Sequence, residues 1–452
     1  MLRCVKLAAA DAAFVKKLAK LRGLDFDYVL GTIERDRGIE GGRLVSAKLL
    51  GYESKTLDVS ALDALTSLYV TGDSSEPAPL RITLGTLPKL TSVRVEYVKL
   101  EGIDFSGCPN ITKLDLSRCK LDELPELPPR LEELLLADNP LGRISLRSKT
   151  LRRLDVGSCG LAALDVSKLT GLTRLDCAFN RIKKLDLRQL ENLGILWCQG
   201  NGAEVLLPPK APLTYLVSSN NPCTELDTTG YPLLDTLFVG GAGLRTLTLG
   251  NPVLESLDCA NNALTKLDLA KVPAVRDLEV NGNPLASIDL SPLHHLEDLE
   301  VDAKVEIRCT DLQKHVLPAL RAKFGLPKPT KTIAKMDLYQ LHAYALGYNW
   351  DDGAKKLFEV VRRPECVLAT ALLVYWQSQP QDYSHHATPK DAPKSERVWV
   401  ELLREIETGV AKKKFPRGPL AFDVHDVRGV DISDDDPKIP ARMREPVNAK
   451  QR

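Results

Sequence analysis

The stretch GLTRLDCAFNRIKKLDL (residues 171–187) decides the fold of this chain, because it recurs as VLESLDCANNALTKLDL at residues 253–269. Each copy contains the spacing LxxLxLxx(N/C), and a second segment of similar spacing begins ten residues after its first leucine. Side chains alternate across an extended strand, which directs Leu172, Leu175 and Cys177 inward and places Asn180 where the chain turns. The unit therefore predicts a short strand that crosses a core, followed by a turn whose buried asparagine bonds adjacent coils.

The same unit recurs at intervals of 20 or 21 residues over more than half of the chain. Its first inward position carries, in succession, Leu90, Ile111, Leu131, Leu151, Leu172, Leu193, Leu213, Leu234, Leu254, Val275 and Leu296, with a less regular copy at Leu65. The turn position carries a ladder of Cys119, Asn139, Cys159, Asn180, Asn201, Asn221, Asn262 and Asn283. One coil cannot bury its apolar faces alone, so we expect about eleven to twelve stacked coils within residues 51–308.

These motifs resemble the leucine-rich-repeat family, in particular bacterial arrays of the LTxLDCSxNxLTxLDLS type. The resemblance implies an α/β solenoid with a parallel sheet on its concave side and extended or irregular backbone on its convex side. Most members of that family act in recognition. The resemblance therefore also implies a binding role for the concave face.

Composition narrows the choice of partner and compartment. Lys plus Arg (61) nearly cancels Asp plus Glu (60), so the basic surplus that holds proteins to nucleic acid is missing and no nucleic-acid partner is expected. The N-terminus lacks a signal-peptide core, and no stretch approaches the roughly 18 apolar residues of a membrane span. We expect a cytoplasmic protein without membrane contact. The cysteines recur at repeat positions and form no CxxC pair with histidine, so neither a metal nor a cofactor is expected.

The third and fifth positions of each LxxLxL unit face the same solvent side, so these two columns predict the composition of the concave face. Three consecutive strands carry large apolar side chains in the columns: Ile195, Trp197, Tyr215, Val217 and Phe238. With strands about 5 Å apart, these residues predict an exposed apolar patch on the order of several hundred Å². A patch of this size and composition is typical of a contact site.

Charged residues flank the apolar block on both sides. On the C-terminal side the columns carry carboxylates with no basic residue among them: Asp258, Asp277, Glu279, Asp298 and Glu300. On the N-terminal side Lys113, Arg153 and Arg174 stand two residues before Asp115, Asp155 and Asp176, which predicts surface ion pairs. The predicted partner is a protein with a hydrophobic knob flanked by Lys or Arg. The alternative is that LDL simply recurs in this class of repeat and that the acidic column is a solvated face.

The segments outside the repeats predict a cap, a linker and a second domain. Residues 1–50 contain an amphipathic helix near Ala9–Leu21 and suit an N-terminal cap. Residues 309–332 combine a capping helix, from about Asp311 to Phe324, with the linker PKPTKT, whose prolines resist helix. Residues 333–452 then show apolar residues at helical spacing, which predicts a small, mostly α-helical domain.

This last domain resembles an uncharacterised bacterial family, domain of unknown function 4274. The resemblance rests on the NWDDG segment that begins at Asn349, on Cys366 with the TAL that begins at Thr370, and on the IPARMREPV ending. It implies no known activity. Its candidate site residues are His342, Asn349, Trp350, Asp351 and Asp352.

The candidate residues of this domain allow two interpretations. His342 and the carboxylates of Asp351 and Asp352 could form an acid–base set. Alternatively, the two aspartates cap the helix that begins near Gly353, and the histidine is satisfied by a neighbour within the fold.

Taken together, the sequence favours a monomeric, non-catalytic protein-binding module with no catalytic residues, in an adaptor or toxin-immunity role. One alternative is a host-directed effector enzyme, because LDELPELPPRLEELLLADNPL (residues 121–141) resembles bacterial leucine-rich-repeat ubiquitin ligases, which use a nucleophilic cysteine. The candidate in the C-terminal domain would be Cys366, but Val367 and Leu368 follow it where those enzymes carry C-x-D. The other alternative is a purely structural scaffold.

Overall fold

The chain divides into two compact units. The computed structural model describes residues 7–26, 28–30, 38–73, 77–326, 328, 330, 332–420, 422, 439–444 and 447. The first unit, which we call the repeat unit, comprises Met1–His295 and Glu300–Glu306. The second, which we call the C-terminal unit, comprises Leu296–Leu299 and Ile307–Arg452.

A helix precedes the repeats, where the sequence predicts one. It spans Ala9–Arg22 and ends at Gly23, whose left-handed backbone closes the last turn. Its Asp11 is fully buried and accepts hydrogen bonds from the Leu44 N–H (3.0 Å) and the Arg43 Nε–H (2.9 Å). These bonds satisfy the buried carboxylate and tie the helix to the short hairpin that follows it.

A long parallel sheet runs through the repeat unit, with one strand from each coil. Its strands, in chain order and in spatial order, are Ser46–Leu49, Ser67–Thr71, Ser92–Glu96, Lys113–Asp115, Glu133–Leu135, Arg153–Asp155, Arg174–Asp176, Ile195–Trp197, Tyr215–Val217, Thr236–Phe238, Ser256–Asp258 and Asp277–Glu279. The middle leucine of each three-residue strand is buried, as side-chain alternation predicts. The predicted parallel sheet is confirmed, and its first strand already lies within residues 1–50.

The chain contains further short strands. The strands Thr56–Asp58, Pro79–Thr83 and Lys99–Ile103 form one parallel sheet. Parallel pairs join Lys184–Asp186 to Glu204–Leu206 and Glu225–Asp227 to Thr246–Thr248, and an antiparallel pair joins Ile39–Glu40 to Arg43–Leu44. The remaining strands are Ser287–Asp289, Asp298–Glu300 and Glu306–Arg308.

The asparagines at the turn position bond the backbones of two coils. The Asn180 Nδ2 group donates to the carbonyls of Val156 (2.8 Å) and Cys177 (3.0 Å). Its Oδ1 accepts from the N–H groups of Cys159 (3.0 Å) and Leu161 (2.9 Å). The same four-bond arrangement recurs at Asn139 and Asn262. One side chain thus bonds four buried backbone groups of two coils.

The C-terminal unit is mostly helical. Its α-helices span Asp311–Val316, Pro318–Lys323, Leu338–Leu346, Lys355–Val361, Leu368–Gln377, Pro380–Tyr383 and Arg397–Ala411, and 3-10 turns span Ile333–Lys335, Trp350–Asp352, Pro389–Asp391 and Ala441–Met443. The prediction of one helix from Asp311 to Phe324 is wrong, because Pro318 starts a second helix after an extended Leu317. Part of the IPARMREPV ending, at residues 445–446, lies outside the described residues.

The helix Leu368–Gln377 forms the centre of this unit. All of its residues from Ala369 to Trp376 are buried. Inside the core, the Trp376 Nε1–H donates to the Met443 carbonyl (2.7 Å) and the Tyr375 hydroxyl donates to Glu407 (2.9 Å). Both aromatic polar groups therefore have partners, as burial requires.

The Asn180→Ala substitution tests the asparagine ladder. Alanine would leave the Val156 carbonyl and the N–H groups of Cys159 and Leu161 without partners, whereas the Cys177 carbonyl keeps its bond from the Asn201 amide (2.9 Å). At about 1 kcal/mol or more for each orphaned group, we expect the free energy of unfolding to fall by about 3 kcal/mol or more. Urea unfolding followed by circular dichroism measures this loss.

The matched control is Asn192→Ala, which removes an exposed asparagine from the same region of the repeat unit. We expect it to change the free energy of unfolding by less than about 0.5 kcal/mol. Equal losses in the two variants would show that the ladder asparagine has no special role.

Candidate binding surface on the concave face

Strand register brings the predicted apolar residues together on one face of the long sheet. Ile195 pairs in register with Tyr215, and Trp197 pairs with Val217, which in turn pairs with Phe238. The five residues therefore come from three consecutive strands, as predicted. Exact register matters because a slip of one residue would turn every side chain to the other face of the sheet.

The three aromatic rings contact one another across the strands. The Trp197 and Tyr215 ring centroids are 5.3 Å apart at an interplanar angle of 48°, and those of Tyr215 and Phe238 are 6.4 Å apart at 59°. Such tilted arrangements stabilise aromatic pairs beyond the area that they bury. We call Trp197, Tyr215 and Phe238 the aromatic platform.

The platform is less exposed than the sequence suggests. Ile195 and the three aromatic residues are half-buried, and Val217 is only 8% exposed. Tyr215, between the other two rings, shields both of them. The face therefore presents a preformed apolar surface, which a partner can use at little cost in side-chain entropy.

Arg174 borders the platform and lies against Trp197. Its guanidinium carbon is 5.8 Å from the centroid of the Trp197 ring, within the range of a cation–π contact. The Lys113 Nζ bonds Glu133 on the next strand (2.8 Å). The prediction that Lys113 and Arg174 pair with the aspartates two residues after them is therefore wrong, because cross-strand neighbours lie closer.

The aspartates on the N-terminal side of the platform accept backbone hydrogen bonds, and Asp115 also lies 3.2 Å from the Arg94 Nε. The Oδ1 atoms of Asp115, Asp155 and Asp176 each accept the N–H group two residues later, all at 3.0 Å. A side chain on Gly157 would lie 3.4 Å from both the Asp155 and the Asp176 Oδ1 atoms, so these two carboxylates flank one glycine.

The positions of these carboxylates change their proton affinity. The pKa of Asp155 is raised to about 6; burial is the main cause and the neighbouring charge of Asp176 adds to it, against the lowering effect of the Gly157 N–H bond. Burial also raises the pKa of Asp115 and the pKa of Asp176. This side of the face therefore carries less negative charge near pH 6 than its sequence indicates.

Exposed carboxylates follow on the C-terminal side of the platform. Asp277 and Glu279 are exposed at the two outer positions of one strand, and Asp258 is half-buried on the preceding strand. The Ser256 hydroxyl donates to Asp277 (3.0 Å), and Asp258 accepts the Ala260 N–H (2.9 Å). We call Asp258, Asp277 and Glu279 the acidic flank. Farther along the chain, Asp298 and Glu300 are also exposed in their strand.

One exposed aromatic residue near the platform lies outside the two columns and was missed by the sequence interpretation. Phe179 is 63% exposed and has a left-handed backbone. The signal in the sequence was a bulky aromatic residue directly before the ladder asparagine Asn180, where later coils carry Gly or Asn.

In the C-terminal unit His342 lies in the interior. Its Nδ1 is 3.0 Å from the Thr370 hydroxyl, and burial lowers the pKa of His342 to about 4. Asp351 and Asp352 are exposed. The partner of the imidazole is therefore a hydroxyl within the fold, and the structure gives the acid–base set no support.

The WDDG turn is built as a capped turn. The Asn349 Oδ1 accepts the Asp351 N–H (3.3 Å), and Asp352 lies 3.7 Å from the Lys356 ammonium one helical turn later. Trp350 contacts Tyr348 and Trp399, with ring centroids 5.6 and 5.8 Å apart. The following helix begins at Lys355 without a side-chain cap, so the prediction that Asp351 and Asp352 cap a helix near Gly353 is wrong.

Cys366 lacks the surroundings of a nucleophile. It is 1% exposed, and burial raises the pKa of its thiol to about 12. A catalytic cysteine needs a lowered pKa and access to its substrate. Within the part of the chain that the structure describes, no group of three or more His, Cys, Asp or Glu side chains could hold a metal ion, and no helix is long and apolar enough to cross a membrane.

The Asp155→Asn substitution tests the raised pKa. A carboxyl whose folded pKa exceeds its unfolded value stabilises the protein at low pH and loses that contribution as pH rises through about 6. Asparagine stays neutral and keeps an oxygen for the Gly157 N–H. We therefore expect the variant to be more stable than wild type by about 1–2 kcal/mol at pH 7.5 and equal to it at pH 4. Thermal unfolding across this pH range measures the difference.

Asp165→Asn is the control of opposite sign. Asp165 is exposed and bonds Ser167, which lowers the pKa of its carboxyl. The ionised carboxyl of Asp165 stabilises the fold at neutral pH, and this contribution is lost on acidification. We therefore expect Asp165→Asn to be less stable than wild type at pH 7.5. A pH-independent difference between Asp155→Asn and wild type would contradict the assignment.

Comparison with known proteins separates the two parts of the chain. Residues 336–411 match the family model described as domain of unknown function (DUF4274). No curated protein matches the chain.

Several solved structures are similar to the chain. The functional domain of InlJ from Listeria monocytogenes, which includes a cysteine ladder, is 27% identical over 62% of this chain and 67% of its own, with a TM-score of 0.45. YopM, a leucine-rich effector protein from Yersinia pestis, is 22% identical over 59% of this chain and 89% of its own, with a TM-score of 0.44. The LRIM1/APL1C complex contains a chain that is 18% identical over 80% of this chain and 75% of its own, with a TM-score of 0.44.

The strand register and the asparagine ladder of the repeat unit agree with the leucine-rich repeat that the sequence predicts. The chain therefore consists of a leucine-rich-repeat solenoid followed by a helical region that matches DUF4274.

Proposed function

We propose that the repeat unit binds a protein partner through its concave face. An apolar side chain of the partner rests on the aromatic platform, and Lys or Arg side chains of the partner lie against the acidic flank. The observation that carries this proposal is the packing of three rings, from three consecutive strands, on a face otherwise rich in charged and small polar residues.

The platform has the properties of a binding centre. Trp and Tyr are the residue types that contribute most to protein interfaces, because they bring a large rigid surface with few torsions to immobilise. Each ring already packs against a neighbouring ring, so little side-chain entropy is lost when a partner binds. The middle leucines beneath the rings are buried, so the core does not need the rings for its own closure.

Charge supports a basic protein partner over a nucleic acid. The acidic flank would repel phosphates, and the chain carries a net charge of only +1. Carboxylates beside an apolar centre favour a ligand that combines an apolar group with Lys or Arg, and they speed its encounter at low ionic strength.

The proposed role is that of a monomeric adaptor, or of an immunity protein that occupies a toxin. The buried free thiols of Cys119, Cys159, Cys177, Cys198 and Cys259 support a reducing compartment such as the cytoplasm. The effector-enzyme alternative loses its candidate nucleophile, because Cys366 is buried with a raised pKa. No activity is proposed for the C-terminal unit.

Substitutions in the platform test the proposal directly. A displayed library of random dodecapeptides, selected on the immobilised full-length chain, should yield peptides with an aromatic or aliphatic residue close to Lys or Arg. We expect Trp197→Ala and Phe238→Ala each to weaken the binding of a fluorescein-labelled selected peptide at least tenfold. Truncation of a hot-spot side chain costs more than about 1.4 kcal/mol of binding free energy. Fluorescence anisotropy measures the dissociation constant.

Leu233→Ala is the matched control, since Leu233 is 55% exposed but lies outside the two columns. It should leave the affinity unchanged. Equal affinities for wild type and both platform variants, each with an unaltered circular dichroism spectrum, would place the binding site elsewhere.

The acidic flank makes a separate prediction about salt. Raising NaCl from 50 to 500 mM should weaken the binding of the peptide at least fivefold, because salt screens the attraction between exposed charges. The double variant Asp277→Asn, Glu279→Gln should bind more weakly at 50 mM NaCl and respond less to added salt. Glu191→Gln, which neutralises an exposed carboxylate outside the columns, is the control. If added salt weakens binding of the double variant as much as binding of wild type, the acidic flank does not contact the peptide.

A further inference from the structure

In successive coils the residue directly before the ladder position has a left-handed backbone. These residues are Tyr97, Arg118, Asp138, Ser158, Phe179, Gly200, Asn220, Gly241, Asn261 and Gly282, with φ between +54° and +70°. From Arg118 to Asn261 their N–H groups donate to a carbonyl of the next coil, as Phe179 does to Gln199 (2.9 Å). The left-handed turn is thus part of the repeat and is imposed on whichever residue occupies it.

Phenylalanine is a costly choice for this position. Glycine adopts a left-handed backbone freely and asparagine tolerates it, whereas a bulky side chain is strained there. Phe179 adopts φ +55° and is 63% exposed. The residue therefore combines backbone strain with an apolar surface that the core does not bury.

Other coils of the same chain show what fits this position without that cost. The Phe179 ring lies over Gly200, where an added Cβ would come 2.8 Å from the ring. In the same way Asn220 lies over Gly241 and Asn261 lies over Gly282. The arrangement of one side chain over the glycine of the next coil thus repeats three times, with asparagine in two copies and phenylalanine in one.

The phenylalanine stands next to the aromatic platform. Gly200, beneath the ring, follows Trp197 by three residues, which separates their Cα atoms by at most about 10 Å. Phe179 therefore adds an apolar group beyond the end of the strand that carries Trp197. The two other copies of the arrangement, in later coils, carry the polar Asn220 and Asn261.

We infer that Phe179 is a further contact residue for the protein partner, an inference that rests on the proposed function. The partner places a second apolar side chain against Phe179, about 10 Å from the one on the platform, which is three residues along an extended segment. Its Lys or Arg side chains lie toward the acidic flank. The occupant is thus an extended, basic segment with two apolar residues.

The Phe179→Asn substitution separates binding from folding. Asparagine is the residue found at the two equivalent positions, so we expect the melting temperature to rise by about 1–3 °C. We expect the fluorescein-labelled peptide selected on the wild-type chain to bind at least fivefold more weakly. Asn261→Phe is the reciprocal control for strain, and it should lower the melting temperature.

The outcomes distinguish this inference from the proposed function. If Phe179→Asn lowers the melting temperature, Phe179 serves packing over Gly200 and the inference fails. If affinity is unchanged while Trp197→Ala still weakens binding, the inference fails and the proposed function stands. If both variants leave affinity unchanged, the proposed function fails as well. A wild-type dimer in light scattering that Phe179→Asn converts to a monomer would make a second copy the occupant and overturn the inference.

Discussion

The hydrogen bonds of the ladder asparagines are the constraint on which the repeat unit depends. Asn180 joins Val156 and Cys159 of one coil to Cys177 of its own, so it works only while adjacent coils stay in register. The bonds repeat up the array because each buried turn has the same need for backbone partners. The bonds form both where the step between ladder positions is 20 residues, as from Cys119 to Asn139, and where it is 21, as from Cys159 to Asn180, so each coil must return its chain to the same place.

This constraint frees the outward side chains for function. Register aligns position with position, as in Trp197 beside Val217 and Phe238, whatever residues occupy the columns. Within each three-residue strand the core needs only the middle leucine. Aromatic rings, aspartates and serines can therefore succeed one another along the face without altering the fold. In this architecture the residues that occupy the fixed columns determine the properties of the binding surface.

Those parts of the structure that follow from spacing alone could be predicted from the sequence. The alternation of side chains and the even step predicted the sheet, its columns and the grouping of Tyr215 with its neighbours. Two features escaped because they depend on geometry within the coil: the half-burial of the rings and the backbone bonds of Asp155. The partner of His342 escaped because Thr370 is 28 residues away, and no periodic pattern connects them. The helix break at Pro318 was readable from the proline itself.

The two sides of the platform differ in a way that gives the proposed complex a direction. On the N-terminal side the carboxylates of Asp155 and Asp176 accept hydrogen bonds from backbone N–H groups, and burial raises the pKa of both. On the C-terminal side Asp277 and Glu279 are exposed. An apolar centre alone would accept a ligand in either orientation. Under the proposed function, the unequal flanks favour the orientation that sends the basic end of the partner segment toward Asp277, because Asp277 and Glu279 are exposed whereas Asp155 and Asp176 are half-buried.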